Sequence, residues 1–425
     1  MKRGFYTIMS AQFFSSLADN ALFVAAVELL RSNGAAEWQR AALVPMFALF
    51  YVLLAPFVGA FADALPKGRV MFISNAIKAV GCVMMLFGSH PLLAYAVVGL
   101  GAAAYSPAKY GILTELLPAS QLVKANGWIE GLTIASIILG VLLGGQLVGH
   151  RVSALLLSVD VPFIDTGIDT PAESAIAAMI VLYLIAAWFN LRIPRTGVEM
   201  RPMTANPLAM LPDFWACNSR LWRDKLGQIS LSTTTLFWGA GGNLKFIVLA
   251  WAAAALGYDT TQASALTGVV AIGTAVGAVV ASMRMRLDAA TQVIPMGICM
   301  GLLLILMNLI GSIWVAIPFL ILLGGLGGYL VVPMNALLQH RGHNLMGAGR
   351  SIAVQNFNEQ SAILAMGAFY SLSLKLGLSV FGAIAVFGLV VAGVMWAIQR
   401  WHCHNCRHHA DEVQHLLAIA RHDHH

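Results

Sequence analysis

Apolar runs long enough to cross a bilayer recur along the whole chain, and they decide the class of fold before any motif is read. They cover residues 5–30, 41–63, 70–89, 91–117, 122–149, 173–193, 229–256, 262–285, 289–310, 313–339, 346–375 and 379–399. A helix needs about 20 residues to span the hydrocarbon. In that medium every backbone N–H and C=O needs an internal partner, so only helices or closed barrels cross it. Leu, Ala, Met and Gly dominate here, without the short alternating segments of barrel strands. The expectation is an all-α polytopic membrane protein. Only 10% of the 425 residues are charged, against roughly 25% in soluble domains, and mean hydropathy is +0.78. The first run carries Asp19 and is too long for a signal-peptide core, so it reads as a retained helix.

Lys and Arg gather in alternate loops. With the N-terminus inside, the cytoplasmic side holds Lys2, Arg3, Lys67, Arg69, Arg192, Arg195, Arg201, Arg220, Arg223, Lys225, Arg284, Arg286, Arg341, Arg400 and Arg407. The outer side holds only Arg31, Arg40, Arg151 and Lys375. This bias places both termini in the cytoplasm. The net charge of +6 then reflects topology, and no nucleic-acid motif accompanies it. Of five cysteines, Cys82 and Cys299 lie in spans and Cys217, Cys403 and Cys406 in cytoplasmic segments, so no disulfide framework is implied. Cys403-x-x-Cys406 sits among many histidines, yet it has no second knuckle, so no metal site is assigned. The tail, 401–425, reads as solvated, with an amphipathic part over 410–421.

A polar segment over 194–228, rich in Pro and Arg, divides the spans into two six-helix bundles, 1–193 and 229–400. Internal matches support a duplication. "GAAAYSPAKYGIL" and "GGYLVVPMNALL" align Pro107 with Pro333 and Lys109 with Asn335. Asn126 precedes Glu130 by four residues, as Gln355 precedes Glu359. A third match pairs "GAFADALPKGR" with "GAVVASMRMR", in the same order along the two halves.

At these residues the chain resembles the major facilitator superfamily, whose twelve helices form two such bundles. "GAFADALPKGR" is similar to that superfamily's loop between its second and third helices, with Gly59, Asp63, Gly68 and Arg69 in order and two extra residues between Asp63 and Gly68. Gly59 suits close helix packing, and Asp63 suits a bond to a helix terminus or an Arg. The strings "LADNALF", "KGRVM", "GAAAYSPAKYGIL", "LVKANG", "LFWGAG", "VVPMNALLQHRG" and "GAGRSIAVQNFNEQSA", in order over about 10–400, resemble the lysophospholipid transporter family of bacterial inner membranes. The stretch at 151–172 and the tail after Arg400 have no counterpart in that resemblance.

Charges inside spans cost roughly 2.5–3.5 kcal/mol each at the bilayer centre, so they face a cavity or a partner. Asp19, Lys78, Lys109, Glu130, Lys245 and Glu359 are three acids and three bases. The sharper reading makes Asp19, Asn20, Lys109, Lys245, Asn335, Gln355 and Glu359 a substrate site converging on a cavity between the halves. The plainer reading makes them ion pairs that lock helices. Lys109 follows Pro107, which frees a backbone carbonyl and bends its helix. Lys78, Asn126 and Glu130 are assigned structural or gating roles with Gly59, Asp63, Gly68, Arg69 and Pro107, and Lys78 is expected to pair with Asp19 or Glu130. Glu28 and Glu115, near span ends, are expected to be wetted.

Lysine binds phosphate as a point charge tolerant of varied headgroups. Lys109 and Lys245 suit a lipid phosphate, while Asp19 and Glu359 suit an ammonium. The resemblance implies flipping of lysophosphatidylethanolamine and lysophosphatidylglycerol from the outer to the inner leaflet by alternating access, followed by re-acylation through a cytoplasmic acyltransferase. No cofactor is implied, and no P-loop is present. A proton-coupled exporter of drugs or metabolites uses the same fold and similar buried acids. A membrane-embedded acyltransferase would need an H-x4-D pair, which the chain lacks.

Overall fold

The structure, a computed structural model, describes residues 3–35, 37–159, 162–258 and 260–422. Lys2 lies outside them, as do the side chains of Arg3, Arg40, Lys245 and Lys375. The described residues form helices and no strand. Up to the linker these are α1 (Arg3–Ser32), α2 (Glu37–Leu53), α3 (Ala55–Ala64), α4 (Lys67–Leu86), α5 (Pro91–Leu116), α6 (Ala119–Val148), α7 (His150–Leu157) and α8 (Pro171–Leu191). Then follow α9 (Met210–Arg223), α10 (Gly227–Leu256), α11 (Thr260–Arg284), α12 (Ile294–Leu306), α13 (Ile313–Met346), α14 (Ala348–Lys375), α15 (Val380–His408) and α16 (Ala410–His422).

Among the described residues nine helices are long and apolar enough to cross a membrane, or ten if the bent pair α2–α3 counts as one. The pair bends by 72° where Pro56 opens α3 without an N–H to continue the helix before it. The remaining two expected spans are α10 and α14, 30 and 28 residues long. Both carry polar residues along their length, among them Thr233, Thr234, Asn243, Gln355 and Glu359.

Local chemistry sets the helix ends. α8 starts at a capping box, in which Thr170 accepts from the Glu173 N–H while Glu173 accepts from the Thr170 N–H, with Pro171 as first residue. α10 stops at Gly257, which adopts φ +66°. α13 runs to Met346, beyond its apolar run, and buries Arg341. That arginine, expected as a loop charge, makes a two-pronged contact with Asp224 at 2.7 and 3.0 Å, both side chains being buried.

The chain packs into two compact units. One comprises Met1–Glu115, Ala135–Asp213 and Ala348–Ala353, the other Leu116–Ile134, Phe214–Gly347 and Val354–His425. The first is cored by Leu22, Ala25, Leu30, Cys82, Val98, Met179 and Tyr183 from α1, α4, α5 and α8. In the second, α11 packs on α13 at Gly273, Gly277, Gly324 and Gly328, where any Cβ would run into the facing backbone. With no hydrophobic drive between helices in lipid, such close backbone approach supplies the attraction. The linker contains α9, and the tail forms the end of α15 and then α16. α16 buries Val413, Leu416 and Ala420 and packs beside 287–293, so its apolar face is covered and not solvated.

Candidate functional site

The first unit holds Asp19 in a cage. Lys78 donates to Asp19 Oδ2 at 2.9 Å, and the Tyr183 hydroxyl donates to Oδ1 at 2.6 Å. The same ammonium donates to Ser15 Oγ at 3.0 Å and sits 4.9 Å from the Tyr105 ring centroid and 5.6 Å from that of Tyr183. Ser15 in turn donates to Asn75 at 2.7 Å. Two rings, a hydroxyl and a carboxylate thus replace the water that Lys78 leaves behind. A Cβ at Gly101 would stand 2.7 Å from Lys78 Cγ, so glycine there admits the lysine stem. Of the two partners named in the sequence, Asp19 is the one that Lys78 meets. Asn20 donates back to Ser16 O at 2.8 Å, beside the α6 glycine Gly140.

A second cluster in that unit centres on Asp63. Its Oδ1 accepts from Gly349 N at 2.8 Å and from Lys67 at 3.2 Å; its Oδ2 accepts from Arg350 N and Nη1, each at 3.1 Å. The two backbone donors are orphan N–H groups of the first turn of α14, and the carboxylate faces the positive end of that helix. Gly59 makes the approach possible, since a Cβ there would lie 2.8 Å from the Ala353 Cβ. Lys67 also donates to Ala62 O at 2.7 Å and pairs with Glu115 at 3.1 Å, and Glu115 accepts from Thr196 at 2.9 Å. Glu115 is therefore buried and paired, contrary to the wetted position expected for it. It lies at the end of α5, where the α3–α4 turn and the linker cover it. Arg350 Nε donates to Asp213 at 3.0 Å, which ties the linker to the same cluster.

In the second unit a chain of side-chain amides ends on a carboxylate. Gln355 Nε2 donates to Glu359 Oε1 at 2.7 Å and to Asn335 Oδ1 at 2.5 Å. Asn335 donates to Asn126 Oδ1 at 3.1 Å, and Asn126 donates to Gln339 Oε1 at 2.9 Å. All five side chains are buried, and Thr234 adds a hydrogen bond to Glu359. Gln355 Oε1 and Gln339 Nε2 have no hydrogen-bond partner among the described residues, leaving one spare acceptor and one spare donor. Glu130 is buried one turn beyond Asn126 on α6.

The remaining candidates separate. Lys109 is half-buried with its ammonium 4.2 Å from the Tyr110 ring centroid, two residues past Pro107 inside α5. Lys245 lies on α10, and its side chain is outside the described residues. Gly68 packs against α8, a Cβ there standing 3.1 Å from Asn190 O. Arg69 is exposed and does not join the Asp63 cluster. The two extra residues before Gly68 shift the register, so Lys67, one turn after Asp63, makes the contact instead. Tyr183 and Gln339 were not named from the sequence, where Lys67 stood only as a cytoplasmic charge and Glu115 only as a wetted span end. Lys67 and Gln339 carried a signal, each four residues after a named polar residue.

Comparison with known proteins follows the same lines. The Major Facilitator Superfamily model matches residues 8–366. Lysophospholipid transporter LplT of Yersinia enterocolitica serotype O:8 / biotype 1B is 40% identical over 381 residues, 89% of this chain and 89% of that protein. The protein of the same name from Yersinia pestis (strain Pestoides F) is 40% identical over 378 residues, 89% and 88% of the two chains. Among solved structures, the human organic anion transporter MFSD10 matches with TM-score 0.73 at 14% identity, over 95% of this chain and 100% of that one. The transporter FucP in its outward conformation matches with TM-score 0.67 at 14% identity, over 94% and 98%. At such identity these two likenesses speak for the fold alone. The family model over residues 8–366 and the 40% identity over most of both chains make this chain a member of the Major Facilitator Superfamily, in the family of these LplT relatives.

Proposed function

We propose that this chain moves lysophospholipids from the outer to the inner leaflet of a bacterial inner membrane by alternating access. The observation that carries the reading is the 40% identity over 89% of both chains to a protein named as a lysophospholipid transporter. The polar groups of the spans fit such a cargo. Lys109 offers a point charge to the lipid phosphate, with Lys245 as its counterpart in the other half. Asp19 and Glu359 offer carboxylates to an ethanolamine ammonium, and the amide chain through Gln355, Asn335 and Asn126 offers neutral donors and acceptors to headgroup hydroxyls. The acyl chain needs no polar contact and stays in apolar surroundings. Lysophosphatidylethanolamine and lysophosphatidylglycerol both fit this set. Both termini are placed in the cytoplasm on the Lys and Arg bias, and a cytoplasmic acyltransferase is the expected consumer of the flipped product.

The test follows labelled lysolipid across the membrane of spheroplasts carrying wild type, Asp19→Asn, Lys109→Ala, Lys245→Ala or Glu359→Gln. Each variant is expected to lose about tenfold or more of the flipping rate, consistent with loss of one charge-assisted contact, with normal membrane insertion. Wild-type rates in all four would overturn the site. Drug efflux without lysolipid movement in the wild type would favour a proton-coupled exporter.

A further inference from the structure

A pocket of about 410 Å³ opens in the first unit between the start of α4 and the end of α8, apart from the three clusters above. Its size lies within the range of small-ligand sites. It is lined by Pro66, Gly68, Arg69, Phe72, Ile73 and Asn190, and by residues 191 and 193–195, which include Arg195. The lining carries two guanidinium groups and no carboxylate. Arg69 and Arg195 are exposed and make no side-chain hydrogen bond or ion pair among the described residues, whereas the adjacent Arg192 stacks on Trp188 at 4.4 Å. Asn190 is 1% exposed, and neither atom of its amide has a hydrogen-bond partner among the described residues. Buried amides are almost always satisfied. A buried donor and acceptor that share this lining with the two unpaired guanidinium groups, at the positive end of α4, describe a place prepared for an anion whose oxygens accept and which carries a hydroxyl or ammonium to donate.

The surroundings select the anion. The pocket lies where two spans end, the depth at which headgroups sit. Leu191 is 65% exposed and Trp188 50%, an apolar collar with an aromatic of the kind found at bilayer interfaces. Phe72 and Ile73 carry the apolar wall inward. We infer that this pocket holds the phosphodiester headgroup of a resident diacyl phospholipid, gripped by Arg69 and Arg195 and hydrogen-bonded by Asn190. This lipid is a bound component of the protein and not its cargo, so the inference goes beyond the proposed function.

The experiment is native mass spectrometry of the purified full-length protein in detergent, titrated with diacyl phosphatidylglycerol. Wild type is expected to keep one tightly held lipid. Arg69→Gln/Arg195→Gln is expected to weaken that binding about tenfold or more, and Asn190→Ala to weaken it in the same direction. Arg195→Gln alone, at an exposed position, keeps the test valid if another variant fails to elute as a folded species. Glu359→Gln, which alters the proposed cargo site, is expected to leave the diacyl lipid bound. Equal binding by wild type and the double arginine variant overturns the inference. So does loss of the lipid in Glu359→Gln with retention in the arginine variant, which would place it in the cargo site. Displacement by inorganic phosphate at equal concentration would identify a soluble-anion site and overturn the lipid assignment.

Discussion

Lys78 and Asp19 meet at 2.9 Å, yet the lysine side chain is 1% exposed and the aspartate 21%. The cation is captive, enclosed by Tyr105, Tyr183 and Ser15, while the anion retains an open side. The pair braces α1 against α4 and leaves the carboxylate as its more open partner.

Removing the captive partner has a definite cost. Lys78→Met leaves Asp19 with the Tyr183 hydroxyl as its remaining donor, and stability is expected to fall by about 3 kcal/mol, the low end for a broken buried pair because Asp19 is partly wetted. Asp19→Asn in the same chain should recover part of the loss. Thermal unfolding of the purified protein through the four corners of a double-mutant cycle reads this directly.

Gln355 stands between a carboxylate and an amide, donating to both. Gln355→Leu strands Asn335 Oδ1 and removes a donor from Glu359. Lysolipid movement is expected to drop about tenfold, with expression and insertion unchanged. A Gln355→Leu protein that flips at the wild-type rate would exclude the amide chain from transport.

Asp63→Asn removes the charge and keeps a single carbonyl acceptor. The first turn of α14 should loosen by about 1–3 kcal/mol. Hydrogen exchange at the Gly349 and Arg350 amides gives the local readout, and faster exchange there than in the middle of α14 is the expected pattern.

α16 separates packing from charge. Arg421 pairs with Asp288 at 3.1 Å but is 56% exposed, so Arg421→Ala should change stability by at most about 0.5 kcal/mol. Leu416 is buried, and Leu416→Asp should release the helix. Limited proteolysis near His409 should cut the Leu416 variant fast and the Arg421 variant no faster than wild type.

The apolar runs announced every long helix, because hydrocarbon thickness dictates their length and leaves little freedom. The run 41–63 reads as one span, and the break at Leu54 emerged only in the structure, where Pro56 opens α3. Partners were harder to read. Asn126 and Asn335 are 209 residues apart in the chain, and nothing in either neighbourhood names the other. Glu115 looked solvated because it lies near the end of its apolar run, but Lys67 and the linker's Thr196 close over it; Arg341 lies past its run, but α13 overshoots and Asp224 meets it. Arg69 stood where the superfamily pattern places its base, and two inserted residues handed that contact to Lys67.

Four donors converge on the two oxygens of Asp63, which fills the roughly four lone-pair positions a carboxylate owns. No acceptor capacity is left to bridge an intermediate position. α3 can part from the head of α14 only by surrendering the three bonds from Gly349 and Arg350 together, while Lys67 on α4 keeps its hold, so this joint behaves as a clasp with two settings, shut or sprung.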